Sequence, residues 1–351
     1  MAESTVGQPP PRYAFIEVLR FVFALIVLMC HSHGLRPVGE NYPFAGGYIA
    51  VEFFLILSGY FAVKHIDGGK RVSAGKVAFD YTTKQFKKLF PVVAISVVIH
   101  YMVFFLNGEI DAQDLPYMLY EILLLPQSGI YKIFLNLPLW YLSAYLICMP
   151  LFLYFWGRFR DFFFHIGSIL TPLLIYGFIC RNCVHLDIWS FASGYPFIGL
   201  FRVFAGLCMG AVCYRISLSL KKSRVYQTGG LFILGLVIMY TAFFFKTYAD
   251  YFLVLAMTLA LAGIFAGNER RPLKNGFSLF LGKYSVYLYC SHWTIRYLIP
   301  RLFPLLDYWT LLPIYVVSSL LYALAIMLTC RVACFAAAWR KRKEIENDPK
   351  I

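Results

Sequence analysis

FIEVLRFVFALIVLMCHSH, residues 15–33, is the stretch of sequence that decides the fold. It is long enough to cross a bilayer, because a spanning helix needs about 20 mostly apolar residues. It nevertheless carries Glu17, Arg20, His31 and His33, and ionisable groups are costly in lipid and therefore mark functional sites. Arg20 and His31 are about three helical turns apart, which places them on one face, roughly 16 Å from each other along the axis. Glu17 precedes Arg20 by three positions, a spacing at which helical side chains touch.

The composition is that of an integral membrane protein. Of the 351 residues, 60% are hydrophobic and 14% are charged, and the mean hydropathy is +0.67, unlike a soluble domain. The apolar runs are continuous over about 20 residues rather than alternating over about 10, which favours helices over a β-barrel. The sequence therefore predicts an all-α integral membrane protein, a bundle of about ten transmembrane helices.

The predicted spans follow the apolar runs. They are 14–33, 47–63, 89–106, 137–156, 162–180, 197–214, 226–245, 251–267, 277–298 and 309–338. The segment 115–126 is apolar but too short to cross a bilayer, so it is predicted to be a re-entrant or interfacial piece.

The net charge of +14 would suggest nucleic-acid binding in a soluble protein, but here the basic residues follow the topology. With the N-terminus inside, the predicted cytoplasmic loops and tails hold most of the 32 Lys and Arg residues, as the positive-inside rule requires. We therefore expect no nucleic-acid partner. Residues 1–13 are predicted to be a cytoplasmic tail without a cleavable signal, 14–338 a single multi-pass domain, and 339–351 a basic cytoplasmic tail.

The nine cysteines lie mostly within apolar runs, where a thiol behaves as a small hydrophobic group. Cys180 and Cys183 form a CxxC pair. No second pair and no histidine accompanies them, so no metal site is predicted. The sequence leaves open whether these two thiols form a disulfide.

A second intramembrane carboxylate, Glu52, lies in the next span, GGYIAVEFFLILSGYFA, residues 46–62. A short loop joins the two spans, so they are predicted to be antiparallel neighbours with His31 and Glu52 near the same end. A carboxylate beside an imidazole fixes its tautomer and raises its basicity, so a His31–Glu52 pair is expected. The alternative is that Glu52 makes an interhelical salt bridge or hydrogen bond of purely structural value.

These residues resemble acyltransferase family 3, the membrane-bound O-acyltransferases of bacterial surface glycans. Members begin with an acidic residue, an Arg, and a His eleven positions after that Arg, and Glu17, Arg20 and His31 match this order and spacing. Further similarity, in the order expected of the family, is carried by VEFFLILSGYFA (51–62), KLFP (88–91), LWYLS (139–143), RVFAGLCMG (202–210) and LGKYSVYLYCSHW (281–293). The resemblance covers nearly the whole chain.

The chain departs from the family pattern in two places. The Arg-x-x-Arg often found before the third helix is replaced by Gln85 and Lys88, with Lys84 and Lys87 adjacent. Lys supplies charge without the bidentate fork of Arg, so a docked phosphate would be held less geometrically. After LWYLS the family commonly has a Glu where this chain has Tyr145.

The resemblance implies a membrane O-acyltransferase, and an O-acetyltransferase in particular. It would move an acyl group from cytoplasmic acyl-CoA to a sugar hydroxyl of a surface polysaccharide or lipid-linked glycan precursor. The implied location is the bacterial cytoplasmic membrane, with the bilayer, acyl-CoA and the glycan as partners and no permanently bound cofactor. Acyl transfer needs a base for the hydroxyl proton and stabilisation of the oxyanion. The predicted catalytic set is His31, as base or alternatively as carrier of the acyl group, with Glu52 and Arg20.

The remaining candidates divide between the donor and a substrate cavity. Arg20 is expected to contact the donor's phosphopantetheine or diphosphate, unless it serves only as an ion pair with Glu17. The predicted donor-binding residues are Arg20, Lys84, Lys88 and Arg202, and the predicted cavity residues are Glu17, Ser58, Trp140, Ser143 and His292. Structural alternatives exist, since topology alone explains lysines, while packing and interhelical hydrogen bonds explain small and polar residues in membrane helices.

A rival function is a proton-coupled secondary transporter or flippase, in which intramembrane Arg, His and Glu would serve equally well. The sequence shows no internal repeat and no pair of Gly- or Pro-broken helices in matching halves, and both are typical of such transporters. Consumption of a thioester by the purified protein would separate the two functions.

Overall fold

A computed structural model describes residues 13–36, 42–67, 73–130, 135–189, 197–220, 223–268 and 276–346. Within these ranges the regular structure is helical, and no strand occurs. Nine helical stretches of the described chain are long and apolar enough to cross a membrane. The prediction of an all-α integral membrane protein is confirmed.

Twelve α-helices are present among the described residues. They are α1 (Ala14–Cys30), α2 (Ala50–Asp67), α3 (Ala74–Leu106), α4 (Leu115–Ile122), α5 (Leu139–Arg158), α6 (Arg160–Phe162), α7 (Ser168–Cys183), α8 (Ile198–Ser219), α9 (Arg224–Phe243), α10 (Asp250–Asn268), α11 (Gly276–Leu302) and α12 (Tyr308–Glu346). A π-helical turn, Phe163–Gly167, links α6 to α7, so that 160–183 forms one candidate span. The ninth predicted span, 277–298, corresponds to the 27-residue helix α11, which carries polar side chains and is not among the nine candidate spans.

The largest difference from the predicted boundaries is at α3. This helix was expected from residue 89 but begins at Ala74 and runs for 33 residues, with Pro91 inside it. Lys84 and Lys88, which precede the predicted span 89–106, therefore lie on the first half of a helix. Hydropathy detects only the apolar part of such a helix, whereas its polar half is held by residues such as Lys and Gln that favour helix in water.

The segment near 115–126 is too short to span, as predicted, and folds into α4 followed by a 3₁₀ turn at Pro126–Ser128. Glu121 anchors it. Its buried carboxylate accepts a hydrogen bond from the Tyr101 hydroxyl at 2.8 Å and others from the backbone N–H groups of Leu135 and Asn136. One acidic side chain thus ties α4 to α3 and to the segment entering α5.

Close packing sets the position of α2 between α1 and α8. The Phe23 ring of α1 stacks on the Phe53 ring of α2 with centroids 3.9 Å apart. On the other side of α2, a Cβ added to Gly210 of α8 would lie 2.6 Å from the Cα of Gly59. Small residues at such a crossing let two membrane helices approach closely, and here they bring the Glu52 side of α2 against α8.

Candidate functional site

His31 is the first residue beyond α1, where the chain tightens into the 3₁₀ turn His31–Gly34. Its Nδ1 atom lies 2.9 Å from the Nε2 atom of His292, a residue of α11. The two imidazole rings stack with centroids 5.1 Å apart and planes inclined by 16°. The Trp293 ring meets the His31 ring edge-on at 5.1 Å. The base predicted from the first helix is therefore held by a second histidine.

The hydrogen bonds of His292 determine which nitrogen of His31 carries the proton. His292 Nδ1 lies 2.9 Å from the Tyr289 carbonyl oxygen and 3.1 Å from that of Leu288. Carbonyl oxygens only accept, so Nδ1 of His292 must be the protonated nitrogen, and in the neutral ring Nε2 is then an acceptor. His31 Nδ1 donates to it. The lone pair on His31 Nε2 is left available, which is the state a general base requires.

Glu52 does not supply the carboxylate for this histidine, and the expected His31–Glu52 pair is wrong. Glu52 is fully buried. Its Oε1 accepts from Arg202 Nε at 2.7 Å, and its Oε2 accepts from the Tyr176 hydroxyl at 2.8 Å. Sequence spacing placed Glu52 at the right end of α2 but could not show that its face turns towards α8.

Arg202 completes this buried ion pair. It is 1% exposed, and its two Nη atoms donate to the backbone carbonyls of Ile188 and Tyr48. Its guanidinium also lies over the Trp140 ring, 5.4 Å from the centroid. Arg202 and Trp140, predicted to contact donor and substrate, are therefore both engaged in holding α2, α5 and α8 together. A buried arginine with this many partners suits a structural contact between helices, because an unpaired charge would be costly in the buried interior.

Ser143 is engaged in the same structural way. Its hydroxyl oxygen, fully buried, accepts the backbone N–H of Gln127 at 2.9 Å. This bond fixes the 3₁₀ turn after α4 to α5, and Ser143 is not among the residues that line the cavity described next.

The Arg20 side chain lines a cavity of about 130 Å³ beside the N-terminal half of α1. The side chains around it come from α1, α2, α3, α5 and α11. They are Arg20, Phe54, Leu57, Ser58, Gln85, Lys88, Leu89, Tyr141, Leu142, Tyr145, Ser285, Val286 and Tyr289. Of the predicted residues, the structure thus brings Arg20, Ser58 and Lys88 together, whereas Lys84 is exposed on α3 and does not line the cavity.

Both departures from the family pattern lie in this cavity. Gln85, Lys88 and Tyr145 all line it, although they are far apart in sequence from Arg20. Glu17 forms an ion pair with Arg20, since its Oε2 lies 3.8 Å from Arg20 Nη1. The Arg20 side chain keeps 28% exposure against 8% for Glu17, so pairing leaves the guanidinium accessible.

Three of the aromatic rings that line this cavity form one packed wall. Phe54, Tyr141 and Tyr289 pack on one another with centroids 5.7 to 6.5 Å apart. Tyr289 contacts both regions, because it lines the cavity and its ring centroid is 6.2 Å from that of His292. Its hydroxyl donates to the Pro138 carbonyl at 2.7 Å, which fixes the ring.

Sequence reasoning missed Arg296, which lies one turn after His292 on α11. Its Nε donates to the His31 carbonyl oxygen at 3.0 Å, and its guanidinium lies over the Trp293 ring at 4.1 Å. The signal was present, since Tyr289, His292 and Arg296 recur at the three- and four-residue spacing that marks one helix face.

Comparison with known proteins identifies the family of the chain. The sequence model that defines acyltransferase family 3, described as an acyltransferase domain, matches residues 13–332. The chain belongs to this family, and no other domain was found in it. No curated protein matches the chain significantly. No solved structure does either.

Proposed function

We propose that this membrane acyltransferase is an O-acetyltransferase. It takes the acetyl group from acetyl-CoA on the cytoplasmic side and places it on a sugar hydroxyl of a surface polysaccharide or lipid-linked glycan precursor. The observation that carries the proposal is the His31–His292 pair, because it leaves one imidazole nitrogen unprotonated and oriented for proton transfer.

In the proposed reaction His31 acts as general base. Its Nε2 takes the proton of the acceptor hydroxyl while the hydroxyl oxygen attacks the thioester carbonyl. The carbon–sulfur bond of the tetrahedral intermediate then breaks, the ester is released, and the coenzyme A thiolate takes the proton from His31. Protons balance over the cycle. His292 holds His31 in one tautomer throughout, the role that a second hydrogen-bonding group plays beside many catalytic histidines.

The cavity around Arg20 is the proposed entrance for the donor. Arg20 and Lys88 supply positive charge, and coenzyme A carries several phosphates that such charges attract. Basic residues also dominate the loops at this end of α1, which by the positive-inside rule is the cytoplasmic end. The proposed route of the thioester from this cavity to His31 runs past Tyr289, which lines the cavity and contacts His292.

Release of coenzyme A thiol by purified protein in detergent tests the proposal. Wild-type protein should release thiol from acetyl-CoA when acceptor glycan is added, and His31→Ala should lower the rate by about 10²- to 10⁴-fold, the usual contribution of a general base. Absence of any thiol release from wild-type protein would count against the enzyme and for a transporter.

Two further measurements refine the test. Mass spectrometry of acid-quenched protein would reveal an acetylated His31 if that residue carried the acyl group instead of acting as base. Surface glycans from cells expressing wild-type and His31→Ala protein should differ in ester-linked acetyl groups. Equal acetylation of the two glycans would contradict the proposed acceptor class.

A further inference from the structure

Arg296 is an arginine beside the proposed base with most of its donors unused. Its Nε donates to the His31 carbonyl oxygen at 3.0 Å, and its Cζ lies 4.1 Å from the centroid of the Trp293 ring. The guanidinium lies flat against Gly34, in space that a Cβ at that position would need. A single hydrogen bond thus fixes the group against the turn that carries His31.

The neighbouring arginines are all satisfied. Arg36 donates to the five backbone carbonyls of Leu35, Pro300, Phe303, Pro304 and Leu306. Arg301 forms an ion pair with Glu109 at 2.9 Å. Among the described residues no carboxylate pairs with Arg296, and neither of its Nη atoms makes a hydrogen bond.

Arg296 is partly buried, and a partly buried guanidinium without a carboxylate partner is costly. Charges in membrane proteins normally pair with one another or with backbone carbonyls, and the exceptions mark ligand sites. The planar fork of Arg matches a carboxylate or phosphate with two parallel hydrogen bonds. The two Nη atoms of Arg296 present that fork next to His31.

We propose that Arg296 binds an oxyanion carried by the acceptor, either the carboxylate of an acidic sugar or the phosphate of a lipid-linked sugar. The acceptor is then an anionic molecule, and Arg296 selects it and places its hydroxyl beside His31. This inference rests on the proposed function, in which His31 is the base on the acceptor side.

The test measures binding rather than acylation, so that it can fail while thioester consumption persists. Thermal unfolding of purified protein in detergent is followed with glucuronate, with the uncharged methyl ester of glucuronate, and with methyl phosphate. A ligand that binds only the folded protein raises its unfolding temperature with concentration. Wild-type protein should be stabilised by at least one of the two anions and not by the ester.

Three variants make the test specific. Arg296→Gln should weaken anion binding by about 10-fold or more, the value of a charge-assisted bidentate contact. Gly34→Ala keeps every charge but occupies the space of the guanidinium, so it should weaken binding as well. Arg301→Gln, five residues further along α11 and paired with Glu109, should leave anion binding unchanged.

The outcomes separate the two sources of the oxyanion. Stabilisation by glucuronate alone assigns an acidic sugar, and stabilisation by methyl phosphate alone assigns a lipid-linked phosphate. The proposal would be overturned if neither anion stabilised the wild-type protein, or if the anions stabilised Arg296→Gln as much as the wild-type protein. Glu40 lies outside the described residues. If the anions stabilised Glu40→Gln but not the wild-type protein, the proposal would also be overturned, because Glu40 would then be the natural partner of Arg296.

Discussion

The carboxylate of Glu17 lies directly against the backbone of Gly282, in space that a single methyl group would fill. Glu17 belongs to α1 and Gly282 to α11, and the contact lies next to Arg20, whose Nη1 is 3.8 Å from the same carboxylate. The glycine of the LGKYS segment therefore leaves room for an acidic side chain that pairs with Arg20, the arginine of the proposed donor cavity.

Gly282→Ala should displace Glu17 and disturb Arg20. We expect a loss of about 1–3 kcal/mol in the free energy of unfolding, as for other overpacked sites, together with a raised KM for acetyl-CoA. Unfolding in detergent and donor kinetics measure the two effects. Gly235→Ala is the control, since a Cβ at Gly235 meets nothing within 4 Å; equal behaviour of the two variants would contradict the role assigned to Gly282.

Removal of His292 should reduce catalysis without abolishing it. His292→Ala frees His31 to adopt the other tautomer, and loss of such an orienting hydrogen bond costs roughly 10- to 100-fold. The change should appear in kcat rather than in the KM for acetyl-CoA. The double variant His31→Ala, His292→Ala should be no slower than His31→Ala alone, because the two residues act as one unit; additive losses would show that His292 acts independently.

Glu52 should prove structural. Glu52→Gln leaves Arg202 buried beside a neutral partner, and breaking a buried ion pair costs about 3–5 kcal/mol. The matched control is Glu109→Gln, which breaks the pair with Arg301 between side chains that are 42% and 46% exposed; it should cost less than about 1 kcal/mol.

The double variant Glu52→Met, Arg202→Met separates stability from catalysis. Replacing both charges with apolar side chains should recover most of the lost stability. Acylation by this folded variant would then persist. A stable double variant without activity would instead return Glu52 to the catalytic set.

Lys88 and Lys84 should differ although both lie on the same helix. Lys88 lines the proposed donor cavity and Lys84 does not. Lys88→Gln should therefore raise the KM for acetyl-CoA several-fold, and more at low ionic strength, where charges act over a longer range. Lys84→Gln should leave KM within about two-fold, as expected for an exposed charge that serves topology. Equal effects of the two substitutions would place the donor outside the cavity.

Stability should fall as pH rises from about 5 towards 7, through Glu121. Burial raises the pKa of this carboxyl from 4.5 to about 7, against the opposing effect of its hydrogen bonds with Leu135, Tyr101 and Asn136. Between these two pH values the folded protein holds a proton that the unfolded chain has released, so unfolding becomes easier as pH increases. The contribution is fully present below pH 4.5 and is lost as pH passes about 7.

Unfolding temperatures measured from pH 4.5 to 8 test this expectation. The fall with pH should be absent from Glu121→Gln, which has no proton to lose. Glu109→Gln, at an exposed carboxyl, should retain the wild-type profile. A profile of Glu121→Gln that parallels the wild type would show that another group is responsible.

The sequence was a good guide to the spans and to residues on one helix. Apolar run length identifies a membrane helix because the bilayer sets its length, and the stripe of Glu17, Arg20 and His31 follows from helical periodicity alone. It could not show which way α2 rotates about its axis. That rotation is set by glycine contacts with α8, and it turns Glu52 away from His31 to Arg202.

The partners contributed by α11 were equally hidden in the sequence. Some 260 residues separate His31 from His292, and no local pattern links them. The polar half of α3 was not predicted as part of the helix for a different reason, because hydropathy cannot distinguish a solvated helix from a loop. Both failures concern tertiary contacts and solvation rather than the identity of the residues.

The wall of Phe54, Tyr141 and Tyr289 also has a consequence for the cell. An enzyme that receives its donor on one face of a membrane and its acceptor on the other needs openings towards both, and a continuous polar passage between them would dissipate the proton gradient. Phe54, Tyr141 and Tyr289 pack on one another in the cavity lining, and Tyr289 also contacts His292, so aromatic rings join the two regions. For the proposed function, we therefore expect these three side chains to restrict proton leakage across the membrane.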